Sequence, residues 1–158
     1  MAIPMPLAAG ADPMAYPLIA QLFAKHGYVS LDAGNFDEFA GRPGRTLLMF
    51  LEDPVRFKET LDLVVIVPEI ARAFAPRLAV GVLLPEAARA FASRYAFRRW
   101  PAFVILADGH YVGAVDGLRN WDEYLVEVAA LLERAPARPP TIGIPVRGDG
   151  EGAGSCHA

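Results

Sequence analysis

Thiols are almost absent from this amino-acid sequence. The 158 residues include 1 cysteine, Cys156. A single cysteine excludes a framework of internal disulfides. It also excludes a Cys-x-x-Cys redox pair, because that motif exchanges electrons through two thiols. Any thiol chemistry within one chain therefore depends on Cys156 alone.

Basic charge and long hydrophobic runs are scarce as well. The formal net charge is −3 and the isoelectric point is about 5.6, so no concentrated basic surface for nucleic acid is indicated. No apolar run approaches the roughly 20 residues that span a bilayer. Prolines interrupt the segment before Lys25, the first basic residue, which makes a poor secretory signal. We expect a cytoplasmic protein with no membrane span and no nucleic-acid partner.

Motifs for cofactors, metals and catalysis are also missing. No glycine-rich phosphate loop precedes a helix pattern, and no cluster of histidine, cysteine and carboxylate residues has metal-ligand spacing. His26 and His110 have no nucleophile beside them in the sequence, so no catalytic triad is indicated. We therefore predict a protein without cofactor or metal, and nothing in the sequence argues for an enzyme.

Hydrophobic residues, by contrast, are abundant. They make up 54% of the chain, which is typical of a globular protein and not of a disordered one. The patterned part runs from residue 12 to residue 134, and we predict one folded domain there. Residues 1–11 read as a flexible leader, and residues 135–158 as a disordered tail rich in proline and glycine.

Apolar runs and turn signals predict a mixed sheet. Continuous apolar stretches at 45–51 and 78–84 are typical of strands buried on both faces. The stretches 102–107 and 111–117 flank Asp108-Gly109-His110, which predicts a β-hairpin. With a short strand at 28–31, the predicted element order is α-β-α-β-α-β-α-β-β-α.

Helix starts are marked by capping pairs. Asn35 with Glu38 and Asn120 with Glu123 have the spacing of a capping box. In the last helix, the 3.6-residue periodicity predicts a core face that begins at Trp121. Residues 61–77 are ambiguous, because their β-branched run favours a strand whereas their apolar spacing favours a helix.

This order resembles the thioredoxin fold, a three-layer α/β/α arrangement around a central mixed β-sheet. Pro68 matches the kink proline of the second long helix, and Pro101 matches the proline, commonly cis, before the fourth strand. Gly113 and Gly117 match glycines around the last strand. The segment that should carry the redox thiols reads "EDPVRFKETLD" and contains no sulfur. Thioredoxin activity is therefore excluded.

A narrower family resembles this chain more closely. Residues 97–132, "FRRWPAFVILADGHYVGAVDGLRNWDEYLVEVAALL", are similar to the matching segment of the HyaE/HupG family of hydrogenase maturation proteins. That resemblance implies a non-redox assembly chaperone for an uptake [NiFe]-hydrogenase. The implied partners are the hydrogenase small subunit or its twin-arginine signal peptide, together with other hydrogenase maturation proteins.

The acidic residues after the central strand are the first candidate binding group. Glu52, Asp53, Glu59 and Asp62 would meet the arginines of a signal peptide through bidentate contacts. The alternative is a solvated loop and helix start, since acidic residues favour the first turn of a helix.

The loop before the fourth strand is the second candidate group. Trp100 and Pro101 would form a platform for an extended peptide, and Arg98 and Arg99 would meet carboxylates on a partner. Alternatively, Pro101 is structural, Trp100 packs in the core, and the arginines pair with local acids or face water.

Two other functions stay open at this point. A thiol-dependent oxidoreductase would use Cys156, alone or together with a cysteine of a partner. A thioredoxin-like interaction subunit of an unrelated complex would need no thiol at all.

Overall fold

A computed structural model describes residues 9–139. The greater part of the predicted leader and tail, including Cys156, lies outside these residues. The helices are α1 (Pro17–Ala24), α2 (Phe36–Ala40), α3 (Glu59–Ala73), α4 (Pro85–Phe91) and α5 (Trp121–Glu133), and the strands are β1 (Val29–Ser30), β2 (Arg45–Phe50), β3 (Leu78–Leu83), β4 (Ala102–Ala107) and β5 (His110–Asp116). Short 3-10 helices occupy Pro13–Ala15 and Ala92–Arg94. The predicted element order is confirmed.

The five strands form one mixed sheet in the order β1-β3-β2-β4-β5. β1, β3 and β2 run parallel, whereas β4 is antiparallel to both β2 and β5. The apolar run of β2 lies between β3 and β4, and all of its residues after Arg45 are buried. This position explains why the run shows no alternation, because both faces of a central strand are covered.

Helices cover both faces of the sheet. Successive side chains of a strand point to opposite faces. Leu47 and Met49 accordingly pack in one core cluster with residues of α1, α3 and α5. Leu48 and Phe50 pack in a second cluster with residues of α2 and α4. These two clusters on either side of one sheet give the expected three-layer α/β/α arrangement.

Tertiary packing resolves the ambiguous stretch in favour of a helix. α3 extends over Glu59–Ala73 and carries Pro68 in its interior. Leu63, Val67 and Ile70 are buried in its core-facing stripe. The stripe follows the 3.6-residue period, so burial of this face outweighs the weak strand propensity of the valines.

Two local predictions at helix starts are wrong. The Asn35 side chain does not cap α2; instead its Oδ1 accepts a hydrogen bond from the Asp32 amide at 2.8 Å. Trp121 is 42% exposed, because the buried stripe of α5 begins one turn later, at Tyr124. The second capping box is confirmed: Asn120 and Glu123 exchange side-chain hydrogen bonds with each other's backbone.

The register brings several strand ends to one edge of the sheet. Phe50 lies opposite both Leu83 and Ala102, and Ala102 lies opposite Asp116. The loops 51–58, 98–101 and 117–120 and the start of α4 therefore meet there, and we call this the loop edge. It holds Glu52 and Asp53 and the loop before β4, whereas Glu59 and Asp62 lie in the first turn of α3, directly after it.

Candidate functional site

Glu52 lies directly after β2 and is buried at the loop edge. Its carboxylate receives both arms of the Arg89 guanidinium from α4. The Arg89 Nε donates to Oε2 at 2.8 Å, and Nη2 donates to Oε1. The same Oε1 accepts the backbone N–H of Asp53 at 2.7 Å. A buried carboxylate needs such partners, because an unpaired charge in the interior is very costly.

These contacts fix the ionisation of the pair. Burial raises the pKa of Glu52, but the hydrogen bonds from Arg89 and Asp53 outweigh burial and leave the pKa below its ordinary value. The same hydrogen bond to Glu52 raises the pKa of Arg89. Both groups are therefore charged at neutral pH, and together they tie the loop after β2 to α4.

Asp53 is also buried and is used within the chain. One carboxylate oxygen accepts the Val55 amide at 3.0 Å, and the other accepts the Gly10 amide at 2.7 Å. The hydrogen bonds from Val55 and Gly10 lower the pKa of Asp53. Residues 10–13 consequently lie against the loop after β2, beside a small pocket of about 190 Å³ whose lining includes Pro54 and Arg89.

Glu59 and Asp62 differ from this buried pair. Both lie in the first turn of α3 and are exposed. Burial raises the pKa of the Tyr124 hydroxyl, and the negative charges of Glu127 and Asp62 add to that rise while Arg119 opposes it. The charge of Asp62 therefore acts on the Tyr124 hydroxyl. These two carboxylates face solvent, where a partner can reach them.

The loop before β4 is held by a residue that the sequence did not single out. One oxygen of Asp116, at the end of β5, accepts the backbone amides of Arg98 at 2.8 Å and Arg99 at 3.1 Å. The side chains of both arginines are exposed. The only sequence signal was an Asp-Gly pair at the end of the last strand, which is also a common turn signal.

Trp100 and Pro101 differ in how far they are buried, which bears on whether they pack in the core or form a platform for a peptide. Pro101 is buried and follows a cis peptide bond. Trp100 is half-buried and packs edge-to-face on Phe97, whose ring lies 5.0 Å from that of Phe50. Trp100 is thus anchored in the aromatic core on one side while the rest of its ring remains accessible at the loop edge.

The loop edge holds Glu52, Asp53 and the loop before β4 at one end of the sheet, but only some of the candidate side chains face outward. Glu52 and Asp53 form hydrogen bonds within the chain, whereas Glu59, Asp62, Arg98 and Arg99 are exposed.

Within residues 9–139 there is no cysteine, and no group of three or more metal-ligating side chains is arranged to hold a metal ion. In the same part of the chain, no helix is long and apolar enough to cross a membrane. The exposed chemistry of this edge is charge and aromatic surface.

The fold matches solved thioredoxins. A thioredoxin from Halobacterium salinarum, solved as an N21Q mutant, superimposes with a TM-score of 0.55 at 24% identity, covering 68% of this chain and 93% of the other. The protein therefore has a thioredoxin-like fold, and the segment at the usual thiol position is a charged, internally bonded loop.

Sequence comparison identifies the family within that fold. The profile of HyaE, the hydrogenase-1 expression protein, matches residues 18–124. The hydrogenase expression/formation protein HoxO of Cupriavidus necator is 38% identical over 143 residues, covering 89% of this chain and 88% of that protein. HoxO of Azotobacter vinelandii is 36% identical over 139 residues, covering 84% and 93%. The chain belongs to the HyaE family, as its resemblance had implied.

Proposed function

We propose that this protein binds the small subunit of an uptake [NiFe]-hydrogenase, or the subunit's twin-arginine signal peptide, during hydrogenase maturation. It acts by binding, in the cytoplasm, before the subunit is exported. Family membership and the relatives' description as hydrogenase expression/formation proteins support the hydrogenase connection.

One observation carries the binding role. The loop at the thioredoxin redox position is closed by the ion pair between Glu52 and Arg89 and by the Asp53–Gly10 hydrogen bond. Both carboxylates are buried and hold backbone in place. A rigid loop edge of this kind presents a fixed surface, which favours binding because little conformational freedom is lost when a partner docks.

The charge of the client decides which residues meet it. Two adjacent arginines need carboxylates that are free to form bidentate contacts. Glu59 and Asp62 are exposed on α3 and fit this requirement. Arg98 and Arg99, held by Asp116, would instead meet carboxylates of the folded subunit or of another maturation protein.

A calorimetric titration tests the proposal directly. The full-length protein is titrated with the hydrogenase small subunit in two forms, with and without its signal peptide. Binding that requires the signal peptide supports recognition of the peptide, and equal binding of both forms supports recognition of the folded subunit. If neither form binds at low salt, the proposed function is wrong.

A charge-reversal pair locates the contact. We expect Asp62→Lys to weaken binding of the signal-peptide form by about tenfold, which corresponds to ~1.4 kcal/mol. Glu38→Lys is the matched control, because Glu38 is also an exposed carboxylate in the first turn of a helix, α2, on the opposite face of the sheet. Affinity should also fall as salt rises. Equal affinities of the two variants would contradict docking at α3.

A further inference from the structure

The N-terminal arm, residues 10–13, lies over the loop that follows β2. Gly10 donates its N–H to one carboxylate oxygen of Asp53 at 2.7 Å, although the two residues are 43 positions apart. The arm and the loop enclose a cavity of about 190 Å³, and the rest of its lining comes from α4. The arm therefore covers the loop at the position where thioredoxins carry their thiols.

A single hydrogen bond attaches the arm to the rest of the domain. Among the hydrogen bonds of residues 9–139, only the one from Gly10 to Asp53 joins the arm to a residue beyond Tyr16. Gly10 and Asp12 are exposed, whereas Ala11 is half-buried over the cavity. Opening the arm breaks few contacts, and segments with few contacts are the first to open locally in a folded protein.

The loop keeps its internal contacts when the arm leaves. The Gly10 amide uses one oxygen of Asp53, and the other oxygen still accepts the Val55 amide at 3.0 Å. Glu52 remains in its ion pair with Arg89. The loop edge therefore stays rigid whether the arm is closed or open.

Opening the arm uncovers a surface with both polar and apolar parts. The oxygen of Asp53 that Gly10 occupied becomes free to accept a hydrogen bond from a backbone N–H or a guanidinium. Pro54 and Pro85, which are buried and line the cavity, lie beside it. This surface suits a segment that carries a hydrogen-bond donor next to an apolar side chain.

We propose that the arm is an autoinhibitory cover, and that the client binds the form of the protein in which the arm has opened. The inference rests on the proposed function, because it assigns a regulation to the binding of that client. When only a fraction of a protein is competent to bind, its apparent affinity is reduced by that fraction. Any change that opens the arm should therefore strengthen binding of the client.

Two glycines provide a matched pair for the test. Gly10 has a φ of +80°, and Gly44 has a φ of +87°. Gly44 also donates its N–H to a carboxylate oxygen at 2.7 Å, in this case that of Asp108 at the opposite end of the sheet. A Cβ on either glycine would meet no heavy atom within 4 Å. Alanine at either position is therefore strained through its backbone alone, and to a similar degree.

The full-length variants are titrated with the hydrogenase small subunit that carries its signal peptide. Strain at residue 10 shifts the arm towards its open form, so we expect Gly10→Ala to bind about fivefold more tightly than the unmodified protein. Gly44→Ala should bind within about a factor of two of the unmodified protein. Hydrogen exchange of the residue 10 amide follows the arm without the client. This exchange should be slow in the unmodified protein and in Gly44→Ala, and faster in Gly10→Ala.

The outcomes separate the inference from the function on which it rests. Unchanged or weaker binding by Gly10→Ala overturns the cover and leaves the proposed function intact. The same follows if Gly44→Ala strengthens binding as much as Gly10→Ala, or if the Gly10 amide of the unmodified protein exchanges as fast as that of an unstructured chain. Absence of binding by the unmodified protein and by both variants overturns the cover and the proposed function together.

Discussion

Substitution of Arg89 by alanine should destabilise the protein by leaving the Glu52 carboxylate without its main partner. The Glu52 side chain is 8% exposed and that of Arg89 is 51% exposed. Breaking a fully buried ion pair costs about 3–5 kcal/mol, and losing an exposed one costs about 0–1 kcal/mol. Because one partner is buried and the other half-exposed, we expect a loss of about 2 kcal/mol, or roughly 8 °C in melting temperature.

The loss should depend on pH in a defined direction. In the unmodified protein the pKa of Glu52 is lowered, so its stabilisation is fully present above the ordinary carboxyl pKa and is lost as the pH falls from that value through the lowered pKa of the folded protein. In Arg89→Ala, burial remains and Arg89 no longer opposes it, so the pKa of Glu52 should rise. The buried carboxyl is then neutralised at mildly acidic pH. The difference in stability between the two proteins should therefore shrink from pH 7 to pH 4.

Urea unfolding followed by circular dichroism measures this difference at each pH. A second variant isolates the cause: Glu52→Gln placed in the Arg89→Ala background removes the orphaned charge, so it should recover about 1 kcal/mol. Two results would refute the reasoning. One is an Arg89→Ala protein within about 0.5 kcal/mol of the unmodified one at pH 7; the other is a double variant that is less stable than Arg89→Ala alone.

Two further substitutions test other parts of the structure. Asp116→Ala should lower stability by about 1–2 kcal/mol by removing two hydrogen bonds to the loop before β4, and hydrogen exchange of the Arg98 and Arg99 amides should accelerate. Asp116→Asn is the control, because it keeps an acceptor. Unchanged exchange in the alanine variant would contradict the role of Asp116 in holding this loop. Gly81→Ala places a methyl group 2.7 Å from Leu31 Cδ1 and Phe39 Cε1. Thermal unfolding should therefore show a loss of stability of about 1–3 kcal/mol. An unchanged melting temperature would mean that the two side chains move aside without cost.

Much of the fold was predictable because it follows from local pattern. The apolar run of β2 and the capping box at Asn120 contain their own signals, and both are present in the structure. The mixed sheet was expected from the order of the elements, which resembles the thioredoxin fold and for which hairpin and crossover rules leave few arrangements. The α3 segment was undecided because propensity and periodicity disagreed there, and only burial against the sheet decides between them.

The candidate site was less predictable because its contacts join distant parts of the chain. Glu52 is 37 residues from Arg89, and Asp53 is 43 residues from Gly10. Acidic residues are almost never buried unless they are paired, so a run of acids after a strand reads as solvated until its partners are known. The alternative of a solvated helix start describes Glu59 and Asp62, which are exposed in the first turn of α3, but nothing in the sequence separated them from the buried pair.

The aromatic residues at the loop edge also make intrinsic tryptophan fluorescence a probe of docking. The chain contains 2 tryptophans, Trp100 in the loop before β4 and Trp121 at the start of α5. Both indoles are partly in contact with water, and Trp100 stands at the loop edge. A peptide that covers either indole would change its solvation and hence its emission, so docking can be followed in real time without any label attached to the protein.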